Sequence, residues 1–297
     1  MKVSICIPAY NQTVYLRKTL NSILEQDFRD YEIVITDDTP NNSIKELIDE
    51  FDFQGRLKYF KNPTTLGTPE NWNESIRKAE GEYIKILHHD DFLTYNYSLR
   101  EFVRMLDENP DTDFAFSSSL NIDKDFRLIN QHSPTGKQLD LIKRSPDYLF
   151  FSAIVGAPSA TIFRTNKAIF FDKSIKWLVD LDFYIRLLKC NRRFIYNKKP
   201  LISTVDNPFR VTHECVNDQN ILISEMILVL KKITTNGFSD MKFVKYLTYR
   251  FRSYDITSID KLHIYVKNKN NLPIVVYLAL FFSKIFTFLL RIKLVSK

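Results

Sequence analysis

Short apolar runs alternate with amphipathic stretches along the first 120 or so residues. The runs are rich in β-branched and aromatic residues, which predicts buried strands. They cover residues 3–8, 31–36, 57–60 and 83–87. Between them, apolar residues recur every three or four positions, as at Leu16, Leu20 and Ile23, which predicts helices. This alternation is typical of an α/β fold with a mostly parallel sheet covered by helices on both faces.

The remainder of the chain changes pattern twice. Residues 113–210 have the pattern of mixed strands and helices, with one helix predicted near residues 178–188. After about residue 216 the pattern is helical, and it ends in an apolar stretch at residues 272–290. We therefore expect an α/β domain over residues 1–215 and a helical C-terminal region over residues 216–297.

Two pairs of aspartates follow predicted strands. Asp37-Asp38 ends the second strand, and Asp90-Asp91 follows the fourth. Sheets of this class bind ligands beyond the carboxyl ends of their strands. Two adjacent carboxylates without a basic neighbour repel each other, and a divalent cation shared with substrate phosphates would relieve that repulsion. The alternatives are a solvated acidic turn for Asp90-Asp91 and a helix-capping turn for Asp37-Asp38.

Asp180 and Asp182 lie at the start of the helix predicted near residues 178–188. One of them is a candidate general base. Two structural explanations stay open: the N-terminus of a helix stabilises a carboxylate, and Asp182 is spaced to pair with Arg186 one turn later.

The histidines, glycines and cysteines bear on which kinds of site and enzyme class the sequence favours. His213 is a candidate ligand of a metal or a phosphate, with a structural role as the alternative, whereas His88 and His89 are assigned a supporting role or none. No glycine-rich dinucleotide or P-loop motif is present, which argues against a dehydrogenase and a P-loop enzyme. The three cysteines are widely spaced, which argues against a zinc site and favours a reducing compartment.

A series of segments, taken in order, resembles glycosyltransferase family 2, whose members are inverting enzymes of the GT-A fold. The segments are residues 3–11, 22–26, 31–38, 62–73, 79–91, 156–159 and 179–186. The resemblance covers residues 2–215. It departs from the family pattern at three places: Thr39-Pro40 replaces a glycine, Glu70 an arginine and Val179 a glutamate. These departures bear on the identity of the donor more than on the reaction.

The resemblance implies a donor site at the carboxyl ends of the strands. Asp91 is expected to bind a divalent metal, Mn²⁺ or Mg²⁺, with His213 as a further ligand. Asp90 is expected to contact the donor ribose or the surroundings of the metal, and Asp38 the nucleobase, which we take to be uracil. The remaining residues assigned to nucleotide-sugar binding are Pro8, Ala9, Tyr10 and Asn71.

The resemblance also implies a catalytic base and an acceptor side. Asp180 is expected to take the proton from the acceptor hydroxyl as that oxygen attacks the anomeric carbon with inversion. The acceptor-side candidates are Gly156, Pro158, Asp182 and Arg186.

Charge along the chain points to a membrane surface. The formal net charge is +7, and residues 261–297 hold seven Lys or Arg and no Asp or Glu, so the preceding 260 residues are nearly neutral. A neutral body with a basic, apolar tail favours a membrane surface over nucleic acid as a partner. The stretch 272–290 contains Lys284, and an interfacial helix, a helix packed on the body and a spanning helix all stay open.

The sequence thus predicts an enzyme that moves a sugar from a nucleotide diphosphate donor to a saccharide or lipid-linked saccharide. The N-terminus lacks the features of a signal peptide, so we expect the cytoplasmic side, peripheral at the inner face of the cell membrane, in polysaccharide or lipopolysaccharide biosynthesis. The rival hypothesis is an inactive nucleotide-sugar-binding or scaffold protein of the same fold. Retention of carboxylates at Asp38, Asp90-Asp91 and Asp180 favours the enzyme.

Overall fold

The computed structural model describes the chain except residues 166–168, 209–214, 216–217, 234–240, 267–270 and 296–297, and the side chains of residues 287–295. The chain divides into two compact units. The first comprises Met1–Ile175 and Val179–Pro208, and the second comprises Lys176–Leu178 and Phe209–Lys297.

The first unit is an α/β structure. Its strands are β1 (Val3–Ala9), β2 (Tyr31–Asp37), β3 (Leu57–Lys61), β4 (Tyr83–Ile86), β5 (Asp91–Leu93), β6 (Phe114–Ile122), β7 (Leu128–His132), β8 (Thr161–Arg164) and β9 (Phe194–Val205). Its helices are α1 (Thr13–Leu24), α2 (Ser43–Ile48), α3 (Glu70–Lys78), α4 (Ser98–Asp107), α5 (Gly136–Arg144) and α6 (Val179–Cys190). Helix and strand therefore alternate over the N-terminal part, as the sequence pattern predicts.

The strands form one sheet in the order β3-β2-β1-β4-β8-β6-β9-β5, with β7 paired to β6. Strands β3, β2, β1 and β4 are parallel, and β8 runs antiparallel to β4 and β6. Every residue of β1 and β2 is buried, which explains their nearly continuous apolar sequences, since strands covered on both faces have no solvent side. The register that pairs Ala9 with Asp37 brings the ends of β1 and β2 to one edge.

Helices α1 and α4 contribute to the core of the sheet through one apolar face each. Leu16, Leu20 and Ile23 of α1 and Leu99 and Phe102 of α4 are fully buried. Each such side chain contributes about 1.5–3 kcal/mol by leaving water. Packing of this core therefore fixes the edge of the sheet at which β1, β2 and β4 end.

The second unit is helical, as predicted for the C-terminal region. Its helices are α7 (Gln219–Ile233), α8 (Met241–Ser253), α9 (Ile259–Leu262) and α10 (Ile274–Val295). On α7, the buried Glu225 carboxylate accepts hydrogen bonds from the backbone N–H groups of residues 176–178, at 2.7, 2.8 and 2.9 Å. Among the helices in the described part of the chain, none has the length and apolarity needed to cross a bilayer.

Candidate active site

A histidine and two aspartates converge where the chain leaves β4. One potential ligand atom from each of His88, Asp90 and Asp91 lies within 4.8 Å of the others. The distance from His88 Nδ1 to Asp91 Oδ2 is 3.9 Å. Two ligands of one cation, each about 2.1 Å from it, cannot be more than about 4.2 Å apart. The nitrogen and oxygen therefore fit a shared divalent cation, and the whole cluster fits it after a small closure.

The backbone around this cluster is held from two sides. Asp91 is 2% exposed and begins β5, where it pairs with Thr204 of β9. On the other side, the hydroxyl of Thr19 on α1 donates to the carbonyl oxygens of Asp91, at 2.7 Å, and His89, at 3.0 Å. The chain geometry thus fixes the turn that presents the carboxylates, independently of any ligand.

Asp90 has a partner that sequence reasoning missed. The amide of Asn207 donates to Asp90 Oδ2 at 2.7 Å, across 117 positions of the chain. Asn207 is buried just after β9. A lone asparagine after a strand is not a motif, so only the return of β9 to this edge of the sheet identifies it.

His88, which is predicted to have a supporting role or none, is a member of this cluster. Its ring packs on the indole of Trp72, with 4.6 Å between ring centroids, and Trp72 meets Phe171 edge-to-face at 5.1 Å. This packing limits the orientations of the imidazole. The available sequence signal was its position two residues before Asp90. The structure adds His88 to the candidate metal ligands.

A buried lysine lies behind the cluster. Lys85 of β4 is fully buried, donates to the carbonyl oxygens of Ile86 (3.1 Å) and Ser159, and lies 4.5 Å from the ring centroid of Phe102. Burial lowers the pKa of Lys85 to about 7, and the negative charge of Asp91 opposes that shift. Sequence reasoning missed Lys85, because a lysine in a strand is most often solvent-exposed.

The carboxylate of Asp38 is occupied by protein donors. It accepts hydrogen bonds from the side chain of Asn62 at 2.7 Å and from the backbone N–H groups of Leu66 at 3.0 Å and Gly67 at 2.8 Å. A carboxylate has about four acceptor positions. Asp38 thus shapes the loop between β3 and α3, and little of its hydrogen-bonding capacity is left for a nucleobase.

The other donor-side candidates surround the end of β1. Pro8 and Ala9 are buried, and the carbonyl oxygen of Ala9 accepts from Asp38 N at 3.0 Å and from the Asn71 side chain at 3.2 Å. Tyr10 is exposed. The structure thus brings Asp38, Asn71 and the end of β1 together and leaves the tyrosine ring open to solvent.

Asp180 lies in the first turn of α6 and is half-buried. Burial raises the pKa of its carboxyl to about 6. The hydrogen bond that Leu181 N donates to this carboxyl at 2.8 Å acts in the opposite direction and lowers the pKa. Burial raises the pKa of the neighbouring Tyr184, and the charge of Asp180 raises it further. The Tyr184 hydroxyl donates to the carbonyl oxygen of Gly156 at 3.3 Å. Asp180 is therefore ionised at neutral pH and still basic enough to accept a proton.

The 156–159 loop contacts His88 of the metal cluster and Tyr184, which neighbours Asp180. At one end Gly156 accepts the bond from Tyr184, beside Asp180. At the other end the hydroxyl of Ser159 accepts from His88 N at 3.0 Å. Gly156 has a φ of +87°, and a Cβ there would lie 3.0 Å from the His132 ring, so only glycine fits without strain.

Pro158 is buried and begins a 3₁₀ turn, Pro158–Ala160. Its carbonyl oxygen accepts the hydroxyl of Thr161 at 2.8 Å. Pro158 therefore stiffens the loop from within.

Asp182 and Arg186 form the ion pair that their spacing allows. The distance from Arg186 Nε to Asp182 Oδ2 is 2.8 Å, and Asp182 is buried. Arg186 also donates to the carbonyl oxygen of Phe170 at 2.7 Å. The pair joins α6 to the segment before Phe171. The remaining candidate metal ligand, His213, lies outside the described residues.

Comparison with known proteins identifies the family. Residues 4–173, more than half of the chain, match the model of glycosyl transferase family 2. An uncharacterised glycosyltransferase of Methanocaldococcus jannaschii is 28% identical over 196 residues, which are 65% of this chain and 66% of that protein. The GalNAc(5)-diNAcBac-PP-undecaprenol β-1,3-glucosyltransferase of Campylobacter jejuni is 35% identical over 94 residues, or 31% of this chain and 30% of that protein. Each match spans less than two thirds of the relative's own length.

Solved structures share the fold. Residues 1–349 of Staphylococcus aureus TarS, in complex with UDP-GlcNAc, superpose with a TM-score of 0.61 at 17% identity, covering 98% of this chain and 92% of that one. A mannosyltransferase of Pyrobaculum calidifontis, in complex with GDP-Man and Mn²⁺, gives a TM-score of 0.56 at 15% identity, covering 94% and 72%. The fold is the GT-A fold, and the chain belongs to glycosyl transferase family 2.

Proposed function

We propose that this glycosyltransferase moves a sugar from a UDP-sugar donor to a saccharide or lipid-linked saccharide acceptor with inversion at the anomeric carbon. The observation that carries the proposal is the 156–159 loop, which contacts the His88–Asp91 cluster through Ser159 and the surroundings of Asp180 through Gly156. A candidate metal site and a candidate base are therefore neighbours of one loop. We assign the transfer to residues 1–215 and treat residues 216–297 as the helical C-terminal region.

Donor binding is assigned to the edge where β1, β2 and β4 end. The structures of TarS with UDP-GlcNAc and of the mannosyltransferase with GDP-Man and Mn²⁺ support a nucleotide diphosphate donor and a divalent cation. Asp91, Asp90 and His88 would hold the cation, with Mn²⁺ or Mg²⁺ as the candidates. When bound, a divalent cation neutralises charge on the leaving diphosphate. Asp38 and Asn71 would shape the pocket for the base and ribose.

Asp180 is assigned as the general base. A carboxylate whose pKa is about 6 is ionised at neutral pH and accepts a proton more readily than an ordinary aspartate. It would take the proton of the acceptor hydroxyl as the oxygen attacks the anomeric carbon. Attack on the side opposite the leaving diphosphate inverts the configuration. Burial of the carboxylate thus supplies the basicity that the reaction requires.

The acceptor and the location are proposed from the names of two relatives and from the charge of the C-terminal tail. Two relatives carry names that specify an acceptor, an undecaprenol-linked saccharide in Campylobacter and poly(ribitol-phosphate) in Staphylococcus. We propose that this protein extends a cell-surface saccharide at the inner face of the cell membrane. The basic, apolar tail supports that location, since lipid-linked saccharides are held in a membrane.

Nucleotide release from a panel of UDP- and GDP-sugars, with Mn²⁺, Mg²⁺ or chelator, tests the function. We expect slow, metal-dependent release from one UDP-sugar, which acceptor stimulates. Asp91→Asn should lose metal-dependent UDP binding in calorimetry. Asp180→Asn should keep that binding and lose about 10²–10⁴-fold in turnover, the usual contribution of a general base.

The exposed Asp125 provides the matched control, and Asp125→Asn should retain full release and binding. Full turnover in Asp180→Asn would remove the base assignment. If neither release nor metal-dependent UDP binding occurred, the rival hypothesis of an inactive protein with this fold would be favoured.

A further inference from the structure

Helix α10 turns a row of large apolar side chains toward solvent. Ile274, Tyr277, Phe281 and Ile285 are 58%, 50%, 59% and 38% exposed. Their spacing of three and four residues places them on one helix face. We call these four residues the apolar stripe. Single exposed apolar residues are ordinary, but a continuous row of them marks an interaction surface.

The opposite face of α10 is the one that packs within the second unit. Its buried side chains are Val275, Val276, Ala279, Leu280 and Ser283. Two residues of this face form hydrogen bonds within the second unit. The Ser283 hydroxyl donates to the carbonyl oxygen of Ile256 at 3.0 Å, and the carbonyl oxygen of Ala279 accepts from the Thr248 hydroxyl of α8 at 3.5 Å. The helix therefore buries this face and exposes the apolar stripe. The orientation is set by packing inside the unit and leaves the stripe to an outside partner.

The charged side chains that α8 and α10 themselves expose are cationic. Lys284 on α10 and Lys245 and Arg252 on α8 are exposed, and the Arg252 guanidinium lies 5.0 Å from the Phe286 ring centroid. Neither α8 nor α10 contains an Asp or Glu. An apolar helix face flanked by cations complements the anionic headgroups and acyl chains at a bilayer surface. A second copy of the same face would bring like charges together.

We propose that the apolar stripe, with Arg252 and Lys284, docks the protein on a bilayer that contains anionic lipid. Helix α10 then lies in the plane of the interface, with the stripe inserted between headgroups and the basic side chains at their level. The proposal names the residues that would hold the protein at the membrane location proposed above. It does not depend on sugar transfer, because vesicle binding is measured without donor or acceptor.

Vesicle co-sedimentation of the full chain tests the proposal. Vesicles of phosphatidylcholine alone are compared with vesicles that also contain phosphatidylglycerol, at low and high salt. We expect binding to the anionic vesicles that weakens with salt. The double variant Tyr277→Ser/Phe281→Ser should lower the vesicle partition coefficient at least about tenfold, since apolar burial drives interfacial binding. Arg252→Gln/Lys284→Gln should reduce the preference for phosphatidylglycerol.

Two exposed apolar residues outside the stripe, Val14 and Ile264, provide the control. Val14→Ser/Ile264→Ser should bind as the unchanged protein does, and all variants should unfold at the same temperature because only exposed side chains change. The proposal is overturned if the unchanged protein ignores anionic vesicles or if the control loses as much binding as the stripe variant. It is also overturned if light scattering shows a dimer that the stripe variant dissociates, since the partner is then a second copy.

Discussion

Two aspartates on α6 acquire different roles through their surroundings. Asp182 is neutralised by Arg186 at 2.8 Å, whereas Asp180 has no cation among the causes of its raised pKa. Desolvation raises the pKa of Asp180, so this carboxyl holds its proton more tightly. The two positions therefore separate a structural ion pair from a candidate base, although both residues begin the same helix.

At the residue scale, the pH profile of the reaction should follow Asp180. Its carboxyl must be deprotonated to act as a base, and its pKa is about 6. We expect kcat/KM to be level near pH 7–8 and to fall about tenfold per pH unit below 6. Initial rates across a pH series measure this. An acid limb near pH 4 would contradict the assignment, because an ordinary aspartate titrates there.

The Asp180 carboxyl should also make the free energy of unfolding depend on pH. The pKa of Asp180 is higher in the folded than in the unfolded chain, so the folded state loses stability as pH rises from about 4 to 6, and the full destabilisation is present above 6. Asp180→Asn should therefore raise the free energy of unfolding by about 1–3 kcal/mol at pH 7.5. The gain should disappear near pH 4. Urea unfolding at both pH values, beside Asp125→Asn, measures the difference, and a gain that persists at low pH would contradict it.

At the scale of elements, one carboxylate joins β2 to the loop before α3. Asp38 accepts three hydrogen bonds from that loop while it is buried. Asp38→Asn would turn one acceptor oxygen into a donor that faces other donors, and should lower the free energy of unfolding by about 2–4 kcal/mol.

Asp49 is the matched control for Asp38. It forms an exposed ion pair with Lys45 at i,i+4. Asp49→Asn should change stability by less than about 0.5 kcal/mol. Equal effects in urea unfolding would show that the loop does not depend on Asp38.

The segment that enters β4 passes so close to β1 that it requires a glycine, Gly81. A Cβ on Gly81 would lie 2.6 Å from Ser4 N and 2.8 Å from Val3 C, both backbone atoms of β1. Gly81→Ala must push the chain away from β1, and we expect a loss of about 2–4 kcal/mol. Gly136→Ala meets nothing within 4 Å at the start of α5 and should be neutral or slightly stabilising. Thermal unfolding of the two variants, side by side, separates the predictions.

At the scale of the whole molecule, α10 is part of the folded second unit and not a detachable anchor. Val275, Val276 and Leu280 are buried, and together they contribute on the order of 5 kcal/mol. Deleting residues 274–297 should therefore lower the unfolding temperature of the protein by several degrees or more. Differential scanning calorimetry measures this beside Phe281→Ser, which should leave the temperature unchanged. An unchanged temperature after deletion would contradict the packing role.

Much of the first unit could be predicted because short stretches of sequence specify its strands and helices. The continuous apolar runs of β1 and β2, with a helical pattern between them, indicate buried parallel strands, and that arrangement places Asp37-Asp38 and Asp90-Asp91 at one edge. The family resemblance depends on the same segments. The spacing of Asp182 and Arg186 also predicted their ion pair, since i,i+4 neighbours on a helix meet whatever the rest of the fold does.

Other features depend on contacts between distant parts of the chain. Asn207 reaches Asp90 only because β9 returns to pair with β5. Lys85 is buried only because the sheet is covered on both faces, and its pKa falls for that reason alone. Asp38 was predicted to contact a base, and the structure shows its carboxylate engaged by a loop 24–29 positions away.

The sequence by itself therefore determined the fold class, the family, the order of the carboxylates and the basic, apolar character of the tail. Tertiary structure decided which of those carboxylates are already satisfied by protein donors, which one becomes basic through burial, and which face of α10 meets solvent. The physical reason is the same in each case. Periodicity and composition act over a few residues, whereas desolvation and hydrogen bonding depend on which distant groups the fold places within a few ångströms.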